Sequence, residues 1–130
     1  MNGVKLDGTL YHVRVVFNTL EQAFELMEGP NAGDMLSGRH ERDLQGTAYS
    51  YQFGVERDPA HPDDYDAFFW AVSAPVDSHT VEMPSGQSTM TFEAMIQSGR
   101  HVLGARLGNR RIWTGLVVSY KPIAPQRVPV

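Results

Sequence analysis

The stretch SAPVDSHTVEMPSGQS, residues 73–88, holds the residue types of a serine hydrolase within seven positions: Ser73, Asp77, Ser78 and His79. A catalytic triad needs its nucleophile, base and orienting acid in one hydrogen-bonded chain, and triads gather these residues from distant parts of a sequence. If residues 78–81 enter a strand, Ser78 and His79 point to opposite faces and cannot share a proton. The PSGQS turn also lacks the G-x-S-x-G pattern of a nucleophile elbow. We therefore expect no catalytic residue and no enzyme, and keep a site at Asp77 and His79 only as the last alternative.

Metal and cofactor sites are not indicated by any motif. The five histidines lie far apart, and none belongs to an H-x-H or H-E-x-x-H pattern. A metal site could still assemble from His61 with Asp63 or Asp64, because imidazole and carboxylate are competent ligands. Such a group is more often a solvated helix N-terminus, so no metal is expected. The chain has no cysteine and no Gly-rich phosphate loop, so no thiolate site, disulfide or cofactor is predicted.

Charge is distributed unevenly along the chain. Residues 1–99 hold all 15 acids and five of the 11 bases, a net charge of −10, whereas residues 100–130 hold six bases and no acid, a net charge of +6. This asymmetry predicts either a basic surface that meets an acidic surface on another copy, or two segments that neutralise each other within one fold. Nucleic acid is not an expected partner, because domains that bind it are usually basic and this chain has a net charge of −4.

Hydrophobic periodicity predicts a mostly β protein with a single domain over residues 1–130. Apolar and polar residues alternate, as in strands with one buried face, in four segments: 11–17, 49–55, 90–96 and 112–120. Asp7-Gly8 and Gly108-Asn109 favour tight hairpin turns. Segment 18–28 fits a short helix or a strand. The predicted fold class is two packed antiparallel sheets, sandwich- or barrel-like, with one flanking helix.

That helix is predicted at about residues 62–74. Pro62 suits the first helical turn, and Pro75 closes the run. Three acids complement the positive end of the helix dipole: Asp63, Asp64 and Asp66. Apolar residues recur at i, i+3, i+4 and i+7 and form a stripe that would lie across a sheet: Tyr65, Phe68, Phe69 and Val72. Trp70 falls off this stripe and is a candidate surface contact.

Two segments are predicted to lack regular structure. Residues 29–46 hold four glycines, a proline and few large apolar residues, which predicts a long loop or a protruding hairpin. Connections this long are usually functional or mobile, and the charged centre supplies candidate contacts: Arg39, Glu41, Arg42 and Asp43. Residues 122–130 are predicted to form an extended tail. We find no apolar run typical of a signal peptide or a membrane span, and expect a cytosolic product without a membrane partner.

Four segments resemble phage-derived proteins of the tail and baseplate. They are NGVKLDGTLYHVRV, GRHERDLQGTAYSYQFGVERD, DPAHPDDYDAFFWAVSAPVDSHTVEMPSGQSTMTFEA (with Ala60-His61 taken as an insertion) and WTGLVVSYKPIAPQR. They follow one another over most of the chain. The order of hairpin, long loop, strand, helix and paired strands is similar to that of the tail-tube module.

The resemblance implies two antiparallel sheets packed face to face, a flanking helix and a long loop that reaches a neighbouring subunit in a ring, with no cofactor and no active site. It implies a structural subunit of a phage or prophage tail, in the tail tube, tail completion or baseplate. Its partners would be copies of itself and adjacent tail proteins, in the bacterial cytoplasm during assembly and in the virion tail if the prophage is active.

The expected assembly contacts are the charged loop residues, Trp70, and three bases set against the acidic start of the helix: Arg106, Arg110 and Arg111. An alternative from another class is a small β-rich module that binds a ligand, saccharide or peptide through exposed aromatic residues such as Trp70 and Trp113.

Overall fold

The computed structural model of the protein describes residues 3–30, 33–34, 38 and 40–129, which form eleven strands and one helix. The strands before the helix are β1 (Val4–Leu6), β2 (Thr9–Tyr11), β3 (Val13–Val15), β4 (Glu21–Glu28), β5 (Gly33–Asp34), β6 (His40–Glu41) and β7 (Leu44–Arg57). The helix α1 (Asp64–Val72) is followed by β8 (His79–Ser85), β9 (Ser88–Met95), β10 (Gly99–Leu107) and β11 (Arg110–Pro122).

Nine of these strands form one antiparallel sheet, and β5 and β6 form a separate hairpin. The main path runs β2-β1-β8-β9-β11-β7-β3, with β10 beside β11 and β4 beside β7, and the sheet nearly closes into a barrel. Strand β11 joins the two halves, since residues 116–120 pair with β7 while Lys121 and Pro122 pair with β9. The predicted β-rich sandwich or barrel with one helix is confirmed, and the shared strand makes its two halves continuous.

The core follows the alternation in the two longest strands. One face of β7 and one face of β11 are buried: Tyr51, Phe53 and Val55, with Leu116, Val118 and Tyr120. The ring of Phe53 meets that of Tyr120 edge-on, with centroids 5.2 Å apart. Burial of alternate side chains therefore selects the register in which β7 and β11 pair, because a shift of one residue would turn this face to solvent.

Helix α1 covers the barrel with the predicted stripe. Tyr65, Phe68 and Val72 are buried, and the Phe68 ring meets Tyr11 of β2 edge-on at 5.6 Å. The helix is slightly shorter than predicted and ends at Val72, and the hydroxyl of the capping residue Ser73 donates to the carbonyl of Phe69 at 2.8 Å.

Segment 18–28, for which the sequence allowed a helix or a strand, contains strand β4, paired with β7 along its length. The predicted Asp7-Gly8 turn joins β1 to β2, with φ of 52° and 82°, as a type I′ turn requires. Phe17, grouped by alternation with the face of residues 11–15, instead lies beyond the end of β3 and is 88% exposed.

The C-terminal tail runs as an extended strap beside the start of β7. Thr47 and Arg127 exchange two backbone hydrogen bonds, of 2.7 and 3.3 Å. The side-chain amide of Gln126 accepts from the Tyr49 nitrogen at 2.8 Å and donates to the Tyr49 oxygen at 2.7 Å. Gln126 thus satisfies backbone groups that a neighbouring strand would otherwise bind.

Candidate assembly surface

Strands β4, β7, β11 and β10 form an antiparallel sheet in that order, with β4 and β10 at its outer edges. Among the described residues, β4 pairs with β7 alone and β10 pairs with β11 alone. An edge strand presents unpaired backbone N–H and C=O groups, which are a template for pairing with another chain. These two edges therefore form the candidate assembly surface.

All eight residues of β4 are exposed, although alternate side chains of a strand point to opposite faces. The exposed side chains include three large apolar residues and three acids: Phe24, Leu26 and Met27, with Glu21, Glu25 and Glu28. Phe24 is 71% exposed. Neither face of β4 is thus buried by the part of the chain that the structure describes.

Strand β10 has the opposite charge and a similar apolar content. Its exposed residues include three large apolar side chains and two bases: Val102, Leu103 and Leu107, with Arg100 and Arg106. Arg110 and Arg111 lie just across the turn at the start of β11. An acidic edge and a basic edge with apolar side chains between the charges are complementary surfaces.

Of the predicted loop contacts, Arg42 and Asp43 lie beside the C-terminal end of β4. Arg39 lies outside the described residues, and Glu41 lies in β6. Arg42 Nε donates to Glu28 Oε1 at 2.8 Å, and Asp43 accepts from the Gln45 side chain at 3.2 Å and from the backbone nitrogen of Gly29 at 2.7 Å. The described part of residues 29–46 contains the β5–β6 hairpin and the first residues of β7.

The acidic start of the helix and the basic β10–β11 turn meet within one chain. Arg110 lies 3.7 Å from Asp63, and donates to the backbone oxygen of Pro62 at 3.2 Å. A shallow polar depression here is lined by Asp63, Asp66, Asn109, Arg110, Arg111 and Trp113. The oppositely charged segments thus partly neutralise each other in the fold, which is one of the two alternatives that the sequence left open.

Three rings stack between the helix and the same hairpin. His101 of β10 lies between Phe69 and Trp113, with ring centroids 4.0 and 4.6 Å away and nearly parallel planes. Its Nδ1 atom lies 3.0 Å from the hydroxyl of Tyr65. Burial lowers the pKa of His101, and burial raises the pKa of Tyr65 to about 12. Trp70, by contrast, points away from the helix stripe and is 80% exposed.

The serine, histidine and aspartate of residues 73–88 form no triad. Ser78 Oγ donates to Glu93 at 2.8 Å, whereas the buried His79 has its Nδ1 atom 2.6 Å from Asp7 Oδ2. Hydrogen bonds from Thr80 and Ser78 lower the pKa of Glu93. The expectation that Ser78 and His79 point to opposite sides is confirmed, and the carboxylate partner of His79 comes from a turn 72 residues earlier.

A cavity of about 330 Å³ lies between the end of the helix, the segment after β9 and β11. Its lining includes Phe69, Val72, Ile96, Leu116 and Val118, with Ser73 and Gln97 as polar groups. Its volume lies at the lower end of the range for small-molecule sites. The sequence pattern did not indicate it, because its walls come from three separate segments.

One group of described side chains has the composition of a metal site. His12, His61 and Asp64 bring their potential ligand atoms within 4.8 Å of one another. The sequence singled out His61 with Asp63 or Asp64 as competent ligands, and the group contains Asp64 and not Asp63. It missed His12, which precedes His61 by 49 positions and belongs to no motif.

No protein-family model matches this chain, and no curated protein matches it. The resemblance to tail proteins therefore stays a prediction. The helix in the described ranges lacks the length and apolar character needed to cross a membrane.

Proposed function

We propose that this chain is a structural subunit of a phage or prophage tail, in which copies join through the edges of their sheets. The observation that carries the proposal is β4, an eight-residue edge strand with every residue exposed. Soluble proteins usually shield long edges with covering elements or short strand length, because exposed apolar edges pair with other chains. An edge as long and as apolar as β4 favours a partner strand.

The most complementary partner for β4 is β10 of another copy. In this pairing, Glu21 and Glu25 of one copy would lie opposite the edge that carries Arg100 and Arg106 in the next copy. Both edges also have exposed apolar side chains. Pairing β4 with β10 would continue the order β4-β7-β11-β10 from one subunit into the next. This contact is heterologous, and such contacts generate closed rings or open filaments. A ring or tube is the assembly that a tail subunit needs.

The test is the mass of the full-length protein by light scattering and native mass spectrometry over a wide concentration range and at low and high salt. We expect closed oligomers or longer polymers that form at higher concentration and weaken as salt screens the charged edges. Electron microscopy of the same samples should show rings or tubes. A strict monomer at high concentration, also after mixing with proteins encoded next to it, would contradict the proposal.

The cavity beside the helix end favours a second candidate, a small ligand- or peptide-binding module. Its lining of Phe69, Val72 and Leu116 fits an apolar group of a ligand. Ser73 and Gln97 in the same lining can form hydrogen bonds with polar groups. Trp113 lines the separate polar depression, so the two tryptophans do not define this cavity. Saturable binding of the fluorescent probe anilinonaphthalene sulfonate, abolished in a Val72→Trp variant that fills the space, would support this candidate. Binding unchanged by the variant would argue against it.

A further inference from the structure

A cluster of two histidines and one aspartate lies where three segments meet. His12 joins β2 to β3, His61 lies in the connection before the helix, and Asp64 is the first residue of α1. The imidazole rings of His12 and His61 stack with centroids 4.1 Å apart and planes 20° apart. The Asp64 carboxylate accepts from the backbone nitrogen of His12 at 2.7 Å.

The backbone holds each of these residues in place. The amide of His61 donates to the Asp58 carbonyl at 2.9 Å, and the amide of Asp64 donates to the His61 carbonyl at 3.2 Å. The bond from His12 engages one oxygen of Asp64, and a carboxylate has acceptor capacity for several partners. Two imidazole nitrogens and a carboxylate oxygen are therefore available as ligands at one place.

The surrounding charge favours a cation. Residues 58–66 carry four acids, and the described ion pairs bring two bases to them: Arg14 lies 4.0 Å from Asp58, and Arg110 lies 3.7 Å from Asp63. Asp64 and Asp66 remain as acidic groups beyond these two pairs. A net negative environment stabilises a bound divalent ion.

We propose that His12, His61 and Asp64 bind a divalent first-row transition-metal ion of the Zn²⁺ class. Imidazole suits Zn²⁺, Ni²⁺ and Cu²⁺, whereas Mg²⁺ and Ca²⁺ prefer sites made only of oxygen ligands. Ligand atoms around such an ion, each about 2.1 Å from it, are separated by no more than roughly 4.2 Å. The donor atoms here lie within 4.8 Å of one another, and rotation of the exposed His61 side chain would bring them to the separation that a bound ion requires.

The ion would hold the β2–β3 junction, the turn before the helix and the first helical turn together. A chain without cysteine has no disulfide to do so. Three protein ligands leave at least one coordination position for water.

The test is calorimetric titration of the full-length protein with ZnCl₂ in a buffer that does not bind metals, with Co²⁺ absorption spectra as a second measurement. We expect one ion per chain and visible Co²⁺ bands typical of nitrogen and oxygen ligation. His61→Gln and Asp64→Asn should each weaken binding by about tenfold or more. His61 is exposed, so His61→Gln tests the site without disturbing the core, and circular dichroism verifies its fold.

Asp66→Asn is the matched control, because Asp66 is an exposed acid of the same helix outside the cluster. Asp66 acts on the ion through its charge and not as a ligand, so Asp66→Asn should weaken Zn²⁺ binding much less than Asp64→Asn does. Three results would overturn the proposal: no saturable binding, unchanged affinity in His61→Gln, or equal losses in Asp64→Asn and Asp66→Asn, since the last would mean diffuse attraction to acids.

Discussion

The Nδ1 atom of the buried His79 lies 2.6 Å from Oδ2 of Asp7, and so joins the start of β8 to the turn between β1 and β2. The same carboxylate accepts from the backbone nitrogen of Thr80 at 2.8 Å. Because an ionised carboxylate only accepts hydrogen bonds, Nδ1 of His79 carries the proton in this contact. The pair satisfies a buried imidazole and fixes the β1–β2 hairpin on β8.

Asp7→Asn should destabilise the protein by about 1–2 kcal/mol at neutral pH, because it removes a charged hydrogen-bond partner. Asn also tolerates the positive φ of 52° at this turn position, so the hairpin itself should remain. Burial raises the pKa of Asp7, but the hydrogen bonds from His79 and Thr80 outweigh it and leave the pKa lowered.

A lowered carboxyl pKa contributes stability that is present above the unfolded pKa of about 3.8 and is lost as the pH falls through the folded value. Urea unfolding of both proteins across this acid range measures it. The difference in free energy of unfolding between the unmodified protein and Asp7→Asn should shrink as the pH falls. A constant difference would contradict a stabilising role for the ionised Asp7 carboxylate.

Phe24→Ser should weaken self-association by about tenfold or more while leaving the free energy of unfolding within about 0.5 kcal/mol. Phe24 is exposed on the β4 edge, so its ring contributes little to the fold and is free to take part in the proposed contact with another copy. Phe17→Ser is the matched control, because Phe17 is exposed and lies outside the strands. Sedimentation velocity of the three proteins gives the comparison, and equal association of all three would refute the role of β4.

His101→Phe should keep the stack with Phe69 and Trp113 and flatten the pH dependence of stability. Burial lowers the pKa of His101, with the charge of Asp66 opposing, so the unfolded chain binds a proton more readily than the folded one. Stability of the unmodified protein should therefore fall as the pH drops below about 6.5, the unfolded value. Unfolding followed by Trp113 fluorescence in a Trp70→Phe background measures this. An identical pH slope in the variant would exclude His101 as its source.

Gln126→Ala should release the C-terminal strap, because its amide makes both hydrogen bonds to Tyr49. The expected loss is about 1–3 kcal/mol. Gln126→Glu keeps the size but sets a carboxylate against the Tyr49 carbonyl, and should lose at least as much. Hydrogen exchange at the Tyr49 amide is the local readout, and unchanged protection in both variants would show that the strap contributes nothing.

Tyr120→Phe should be neutral or slightly stabilising. The buried Tyr120 hydroxyl has no hydrogen-bond partner among the described residues, and burial raises its pKa. Tyr51→Phe is the contrasting variant, since that hydroxyl donates to the Pro84 carbonyl at 3.0 Å and accepts from Gln22 at 2.9 Å. It should cost about 1 kcal/mol. Chemical denaturation of both variants measures the change in free energy of unfolding. An equal loss of stability in Tyr120→Phe and Tyr51→Phe would mean that the Tyr120 hydroxyl has a hydrogen-bond partner.

Local pattern predicted the elements whose signals lie within a few residues. The alternation of residues 49–55 predicted the buried face of β7, and the spacing of Tyr65, Phe68 and Val72 predicted the face of α1. Turn chemistry at Asp7-Gly8 predicted the first hairpin. Strand β4 could not be assigned in this way, because neither of its faces is buried and its residues have no periodic pattern to display.

The candidate sites depended on contacts between distant segments. The charge asymmetry was visible in the sequence, but the fold decided that Arg110 meets Asp63 of its own chain. The sequence indicated Arg42 and Asp43 as contacts because they lie in a charged segment of the predicted loop. Only the order of strands in the sheet shows that β4 and β10 are edge strands. Likewise, only the fold shows that His12 lies beside His61 and Asp64.

The sequence by itself determined the mostly β class, the position of the helix and the absence of a thiol site, because periodicity, turn residues and composition are local properties. Tertiary structure alone decided that His79 meets Asp7 and not Ser78, that β11 joins both halves of the sheet, and that β4 and β10 are left as edges. The physical reason is that strand partners are chosen by burial of whole faces across the chain, which no short stretch contains.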